Sequence, residues 1–132
     1  HLSDFGRKHG LSLEFQSVGK ERRLPVPVEN CLYRVVQEAL TNVVRHAEAT
    51  SASVIITIQP SLVTLIVEDD GHGFNPSKDP GVRSLGLVGM RERVFLVDGT
   101  LEIESSDAGT TLFVKIPLQE GEEHADSDRA GR

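Results

Sequence analysis

The feature that most constrains the fold is a long amphipathic helix, predicted from Val28 to about Ala49. Apolar residues recur through it at spacings of three and four, so they lie along one side of a helix. They are Leu32, Val35, Val36, Ala39, Leu40, Val43, Val44 and Ala47. Pro27 stands just before this stretch, where a proline suits the first helical turn. An apolar stripe of this length needs a second layer of structure, so the helix is expected to pack on a sheet.

Five other segments are predicted to be strands, because apolar and polar residues alternate in them or β-branched residues predominate. They are residues 11–17, 53–59, 62–68, 101–105 and 111–117. Pro60-Ser61 predicts a hairpin between the second and third, and Asp107-Ala108-Gly109 predicts a turn between the last two. A second helix is predicted from Leu87 to Val97, ended by Asp98-Gly99. Residues 71–86 are rich in Gly, Pro, Ser and Asp without periodicity, which predicts a long loop.

The order of these elements predicts an α+β fold. It runs strand, long helix, two strands, loop, helix, two strands, which should place consecutive strands side by side and leave the helices on one face. The expected architecture is a two-layer α/β sandwich with a mostly antiparallel, mixed sheet. Residues 1–118 are expected to form one domain that opens with the end of an upstream helix at residues 1–10. The acidic residues 119–132 lack any pattern and are expected to be a disordered tail.

Charge and cysteine content narrow the functional classes. The net charge of -6 argues against a duplex nucleic-acid partner, because such binding depends on Lys and Arg neutralising phosphates. The single cysteine, Cys31, falls at a buried helix position and suits a protein of the reducing cytoplasm. No apolar run approaches the roughly 18 residues of a membrane-spanning helix, so no direct membrane contact is expected. The chain opens with His1, which indicates a piece of a longer protein whose anchoring the sequence leaves open.

Three polar residues of the long helix lie on one stripe, and two of them form a candidate cation site. Glu38, Asn42 and His46 follow one another at spacings of four and therefore line one stripe beside the apolar face. A carboxylate and an amide oxygen there can orient water and ligate Mg²⁺, which completes its octahedron with phosphates and water. By spacing alone, a solvated helix edge is the more common explanation.

The strand before the long loop ends in a carboxylate on its apolar face. The period of two places Asp69 on the same side as the apolar residues before it, and a charge buried there needs a partner. The exocyclic amine of adenine would donate a hydrogen bond, and Gly71 and Gly73 would let the backbone approach a flat ring. The alternative is that Asp69-Asp70-Gly71 caps the strand and starts a turn.

Glycines near the start of the second helix suggest a place for phosphate. Gly86 and Gly89 lie where the predicted helix opens, and free N–H groups at a helix start attract anions. The pattern is weakly specific because short glycine patterns at helix starts are frequent. The chain contains no Gly-x-x-x-x-Gly-Lys-Ser/Thr segment, which excludes a P-loop.

In order, four motifs resemble those of the GHKL ATPases, a superfamily of gyrase-type topoisomerases, a heat-shock chaperone, histidine kinases and mismatch-repair proteins. Residues 32–47 resemble the N box, residues 68–74 the first glycine box, residues 85–93 the second, and residues 109–117 the closing strand. The Glu-Ala-Leu-Thr-Asn and Met-Arg-Glu-Arg segments resemble the histidine kinases that pair with NarL/LuxR-type response regulators. The resemblance covers roughly residues 10–118.

This resemblance implies the ATP-binding catalytic domain of a sensor histidine kinase, with ATP and Mg²⁺ as cofactors. It implies that Asn42 ligates Mg²⁺, that Glu38 assists catalysis through water, and that Asp69 accepts the adenine amine. The other implied nucleotide contacts are Gly71 and Gly73 at the base, Gly86 and Gly89 at phosphate, Leu87 and Met90 at the nucleotide, and Thr110 at the adenine end. Thr110 also shares its strand parity with the apolar residues that follow it, so it should face the side on which Asp69 lies.

Two positions depart from the family pattern. Ser84 stands where many members carry a further glycine, which weakens the implied phosphate grip. Asp70 stands where asparagine is common, and its extra negative charge near phosphates is expected to weaken binding of Mg-free nucleotide. A metal site formed by His46, His72, Asp69 and Asp70 is disfavoured, because the chain has neither a His-x-x-x-His pair nor paired cysteines.

The resemblance also defines the expected partners. None of the five histidines has the surroundings of the family's phosphate acceptor, so the acceptor is expected on a dimerisation and phosphotransfer domain of the same kinase, homodimeric when intact. A NarL/LuxR-type response regulator would be the next partner. Phosphoryl transfer from Mg-ATP would depend on positioning and charge neutralisation, and the isolated chain should be nearly inactive. Among Lys78, Arg83 and Arg91, Arg91 is the preferred contact for phosphate or the partner domain.

Two other functions remain as alternatives. One is an anti-sigma-factor serine kinase of the same superfamily, which shares the pocket but phosphorylates a separate protein. The amino-acid sequence of residues 90–93 disfavours this alternative. The other is a non-catalytic module that senses nucleotide and is read by a partner.

Overall fold

Residues 2–19, 23–71 and 82–119 are described in this computed structural model, and they form helices on a single sheet. The helices are α1 (Leu2–His9), α2 (Val26–Asn42), which runs on into a π-helical turn (Val43–Ala47), and α3 (Val82–Phe95). The strands are β1 (Ser12–Gly19), β2 (Ser51–Gln59), β3 (Leu62–Asp69), β4 (Thr100–Ser106) and β5 (Gly109–Pro117). The predicted elements are therefore all present among these residues.

The sheet has the strand order β1-β2-β3-β5-β4. β1 runs parallel to β2, with Ser12 opposite Ser51, and the other three pairs are antiparallel. The predicted mixed, mostly antiparallel sheet is confirmed. The expectation that consecutive strands are neighbours is wrong for β3 and β4, because β5 lies between them. The inner face of β5 is buried, which suits a central strand, whereas Glu102 and Glu104 on β4 suit an edge.

The core lies between the sheet and the helices α2 and α3. The most deeply buried side chains are Leu40, Leu65, Ile116, Val35, Val54, Val63, Val94 and Val114. They come from the apolar stripe of α2, from α3 and from the alternating inner positions of three strands, as the sequence periodicities predict. Cys31 is also buried, and its thiol Sγ donates to the carbonyl oxygen of Arg93 on α3 at 3.7 Å. Burial raises the pKa of this thiol.

The long helix ends differently from an ideal α-helix. It begins at Val26, with Pro27 in its first turn, and remains α-helical to Asn42. The last turn, Val43–Ala47, is π-helical, and Glu48 leaves it in a left-handed conformation with φ of 52°. The predicted extent to about residue 49 is thus close, but the final turn is wider than expected.

The start of α3 corrects the predicted loop. The helix begins at Val82, so the expectation of a loop through residue 86 is wrong for residues 82–86. Nothing in this stretch forbids a helix, since it contains no proline and one glycine costs only about 1 kcal/mol. At the other end, α3 stops at Phe95, two residues before the predicted Val97. The predicted stop at Asp98-Gly99 is present, because Asp98 has φ of 63° and the Gly99 N–H donates to the Val94 carbonyl at 2.9 Å.

The predicted helix at the start of the chain is confirmed as α1, and Gly10 follows it with φ of 66°. The remainder of the predicted loop, residues 72–81, and the acidic residues 120–132 lie outside the described residues. Within the ranges that the structure describes, no helix combines the length and apolar character needed to cross a membrane.

Candidate functional site

A cavity lies where α2 and α3 meet the inner face of the sheet. Its polar lining residues are Asn42 on α2, Asp69 at the end of β3, and Thr110 at the start of β5. Its apolar lining residues are Ala39, Val43, Val67, Leu87, Met90, Ile103 and Leu112. Five of the sequence-predicted site residues therefore share this cavity, namely Asn42, Asp69, Leu87, Met90 and Thr110. An apolar pocket with a few convergent polar groups is typical of a small-molecule site.

Asp69 is the buried charge of this cavity. It is the last residue of β3, points to the inner face as predicted, and has a relative accessibility of only 9%. The Gly71 N–H donates to its Oδ1 at 2.8 Å, which supplies part of the hydrogen bonding that a buried carboxylate requires. Gly71 is itself buried beside it, while Gly73 lies outside the described residues.

Thr110 lies directly opposite Asp69 across the β3–β5 pair. Its hydroxyl is 2.8 Å from the Ser105 hydroxyl, which joins it to the neighbouring strand β4. Gly109, just before it, has φ of 143°, and a Cβ there would lie 2.1 Å from the Asp69 carbonyl oxygen. Only glycine permits this approach. Gly109 lies in the motif of residues 109–117, but this close approach could not be predicted from the motif alone.

Glu38 and Asn42 are neighbours on α2 and face α3. Both are half-buried, and a Cβ added to Gly86 would lie 2.7 Å from Glu38 Oε1 and 3.8 Å from Asn42 Nδ2. Gly86 thus provides room for the Glu38 carboxylate. His46 belongs to the π-helical turn, and its side chain is outside what the structure describes. Within the described ranges, no group of three or more His, Cys, Asp or Glu residues is placed to hold a metal.

The two glycines of α3 do not open the helix. Gly86 is the fifth residue of α3 and Gly89 the eighth, whereas the unpaired N–H groups of a helix belong to its first turn. The expectation of free N–H groups at these positions is therefore wrong for this conformation. A Cβ added to Gly89 would meet no atom within 4 Å beyond its chain neighbours and the nearby backbone of α3 itself.

Asp70 forms a contact that sequence analysis missed. Its carboxylate accepts hydrogen bonds from the N–H groups of Thr50 and Ser51 and from the Thr50 hydroxyl. The Ser51 N–H and the Thr50 hydroxyl hold the pKa of Asp70 well below its ordinary value. These hydrogen bonds direct the Asp70 carboxylate at Thr50 and Ser51, and its expected weakening of Mg-free nucleotide binding stays a prediction. Strand alternation predicts this orientation, because the side chain that follows the inward-facing Asp69 points to the opposite face of the sheet.

Comparison with known proteins identifies the family to which the residues of this cavity belong. Residues 28–120 match the family described as Histidine kinase-, DNA gyrase B-, and HSP90-like ATPase. This match contains α2 from Val28 onward, the cavity and every sequence-predicted site residue.

Three curated relatives are similar over most of the chain. The signal transduction histidine-protein kinase/phosphatase DegS of Brevibacillus brevis is 39% identical over 120 residues, covering 89% of this chain and 31% of the relative. DegS of Bacillus subtilis is 36% identical over 82% of this chain and 29% of its own length. The oxygen sensor histidine kinase NreB of Staphylococcus carnosus is 32% identical over 89% of this chain and 34% of its own length. The chain spans about a third of the length of these relatives.

Solved structures share the fold. The blue-light activated histidine kinase of Erythrobacter litoralis superposes with a TM-score of 0.72 at 24% identity, over 92% of this chain and 40% of that one. The Acinetobacter baumannii histidine kinase AdeS gives a TM-score of 0.72 at 17% identity, over 89% and 59%. At this identity the likeness concerns the sandwich architecture alone.

Proposed function

We propose that this chain, which belongs to the histidine kinase-, DNA gyrase B- and HSP90-like ATPase family, is the ATP-binding catalytic domain of a sensor histidine kinase. The parent kinase would pair with a NarL/LuxR-type response regulator and work in the cytoplasm. The observation that carries the proposal is the buried Asp69 carboxylate at one end of an apolar cavity, opposite Thr110.

The residues of the cavity fit an adenine ring. Apolar side chains from α3 and the sheet offer the walls that a flat ring requires, and Asp69 offers an acceptor for the exocyclic amine. The two oxygens of a carboxylate can each accept more than one hydrogen bond, so Asp69 can accept the exocyclic amine in addition to the donors that the protein provides. Gly71, and by the family resemblance Gly73, would shape the edge of the base site, with Thr110 supporting its adenine end.

The pair Glu38 and Asn42 fits a magnesium ion held partly by the nucleotide. Mg²⁺ takes one or two protein ligands when phosphates and water complete its shell, and a two-residue site agrees with the absence of a larger cluster among the described residues. When bound, the ion would neutralise charge on the phosphates. In the proposed mechanism the Asn42 amide oxygen would ligate it, and the half-buried Glu38 carboxylate would orient a water molecule.

The phosphate contacts proposed for Gly86 and Gly89 require a change at the start of α3. Their N–H groups lie within the helix here, so residues 82–86 would have to leave the helix for Gly86 to donate to a phosphate. The helix would then start close to Leu87. Leu87 and Met90 are buried in the cavity wall and would hold the remainder of α3 in place.

Transfer of the γ-phosphate needs an acceptor histidine, which we assign to a separate dimerisation domain of the same kinase. We assign Arg91 to a contact with that domain and not with nucleotide. Arg91 is exposed on α3 beside the exposed Phe95 and Leu96. In this arrangement the chain binds ATP, fixes its phosphates and excludes water from the base, while the partner supplies the nucleophile. Neither nucleic acid nor membrane takes part in the step.

The acid stability of the labelled product tests this function. The intact parent protein is incubated with γ-labelled ATP, and the labelled protein is then treated with acid. An acid-labile label on histidine supports the proposal. An acid-stable label on serine would instead favour an anti-sigma-factor type of kinase, and binding without any labelled product would favour a nucleotide-sensing module.

A further inference from the structure

The Asp70 carboxylate stands at the junction of the helix and strands that form the site. Oδ1 accepts the N–H groups of Thr50 and Ser51, each at 2.9 Å, and Oδ2 accepts the Thr50 hydroxyl at 2.7 Å. Three donors from two consecutive residues therefore bind one side chain. Charge-assisted bonds of this kind are stronger than neutral ones.

The backbone around Asp70 joins three strand ends at the same point. The Asp70 N–H donates to the Ser51 carbonyl at 3.2 Å, and the Ser12 N–H donates to the Thr50 carbonyl at 2.9 Å. The start of β1, the start of β2 and the end of β3 consequently meet here. Thr50 and Ser51 are held from both sides, through their carbonyls by the sheet and through their N–H groups by Asp70.

This junction connects the two parts of the proposed nucleotide site. Thr50 ends the segment that leaves α2 after Asn42, by way of the π-helical turn and the left-handed Glu48. Asp70 itself follows Asp69, so its position is tied to that of the buried carboxylate. The contacts of Asp70 therefore fix the end of the α2 segment relative to the end of β3.

We propose that Asp70 is a positioning residue for nucleotide binding, which sets the Asn42-bearing helix end against the Asp69-bearing strand end. This inference rests on the proposed function. Asp70 acts through Thr50 and Ser51 and does not touch the ligand. Its role lies in acceptor geometry, because both of its oxygens are directed at these donors.

The hydrogen-bond pattern predicts which substitutions preserve the role. In Asp70→Asn, the amide oxygen can still accept both N–H groups, and the amide nitrogen can donate to the Thr50 oxygen, since a hydroxyl both donates and accepts. Asp70→Ala removes all three bonds. Thr50→Val removes only the bond from the hydroxyl and keeps the size of the side chain.

The test compares Mg-ATP affinity by calorimetry in Asp70→Ala, Asp70→Asn, Thr50→Val and Val63→Ala, each at a temperature where melting curves show it folded. Val63→Ala is the matched control for lost stability, because Val63 is fully buried at the opposite end of β3. We expect Asp70→Ala to weaken Mg-ATP binding by about tenfold or more, because all three hydrogen bonds to Thr50 and Ser51 are lost. Asp70→Asn should stay within a few-fold of the wild type, Thr50→Val should fall between them, and Val63→Ala should melt earlier with unchanged affinity.

The outcomes separate the positioning role of Asp70 from the proposed function. Wild-type affinity in Asp70→Ala would overturn the positioning role while leaving the proposed function intact. Equal losses in Asp70→Asn and Asp70→Ala would overturn it too, because the charge would then matter and not the geometry. A wild-type chain that does not bind Mg-ATP would remove the proposed function itself.

Discussion

Asp69 and Thr110 are paired directly across β3 and β5, on the face of the sheet that the helices cover. Gly109 allows the backbone to approach the Asp69 carbonyl at this point, so strand pairing fixes the relative positions of the carboxylate and the hydroxyl. Substitutions here should change ligand binding more than they change the core, which lies further along the same strands.

The first prediction concerns Asp69→Asn, which should abolish measurable ATP binding while the fold remains intact. An amide oxygen can keep the bond from the Gly71 N–H, but a neutral amide is a poorer and differently arranged acceptor for the adenine amine. Loss of a buried charged hydrogen bond costs about 1.5–3 kcal/mol. Calorimetry measures the affinity, and Asp107→Asn in the exposed β4–β5 turn is the matched control. Unchanged affinity would remove Asp69 from the site.

The second prediction separates metal binding from base binding at Asn42. Asn42→Ala should weaken the binding of Mg-ATP far more than the binding of ATP in the presence of a chelator, because the Asn42 amide oxygen is assigned to the ion. Asn30→Ala, an exposed asparagine on the same helix, should change neither value. Losses of equal size with and without Mg²⁺ would show that Asn42 has a structural role.

The third prediction concerns the close approach at Gly109. Gly109→Ala places a Cβ 2.1 Å from the Asp69 carbonyl, so it should displace the end of β3 and reduce both stability and ATP affinity. A non-glycine residue in so strained a conformation costs about 1–3 kcal/mol. The control is Gly19→Ala, which has φ of 108° and the same 2.1 Å clash, with the Ile58 carbonyl, at the far end of the sheet.

Gly19→Ala should therefore lower the melting temperature comparably and leave the affinity of the folded protein unchanged. If both variants bind ATP equally well, the Gly109 approach does not position Asp69.

The fourth prediction is a pH dependence of stability. The pKa of Asp70 is held low in the folded protein, so its contribution to stability is fully present above the ordinary aspartate pKa. That contribution is lost as the pH falls toward the folded value. The stability difference between the wild type and Asp70→Asn should be constant near neutrality and should move against the wild type below about pH 4. Denaturant melts across this range check it, and a difference independent of pH would contradict the hydrogen bonds assigned to Asp70.

Periodicity was sufficient for most of the fold. The helical spacing of α2 and the alternation of β3 and β5 predicted which side chains are buried, and the same parity predicted that Asp69 and Thr110 share a face. The position of β5 between β3 and β4 was not predictable in this way, because periodicity identifies strands but not their neighbours. The start of α3 was missed because glycine and serine permit a helix without favouring one.

The same distinction between local periodicity and long-range contacts applies to the residues of the candidate site. Positions that follow from a face of one element, such as those of Asn42 and Asp69 in the cavity lining, were predicted from the sequence. The contacts of Asp70 and Gly109 were not predicted, because they join segments that are far apart in the chain. Such contacts depend on strand register and on a left-handed residue after the π-helical turn, which no local pattern encodes.

The most direct test of the central claim is phosphoryl transfer in trans. The 132-residue chain is incubated with γ-labelled ATP and Mg²⁺, alone and with a separately made dimerisation domain of the proposed parent kinase. We expect no label on the chain alone, and a weak, acid-labile label on a histidine of the added domain, because the tether that raises the effective concentration is missing. Asp69→Asn should remove that label. Efficient self-labelling of this chain on histidine would contradict the account, and His9 and His46 would then be the first residues to substitute.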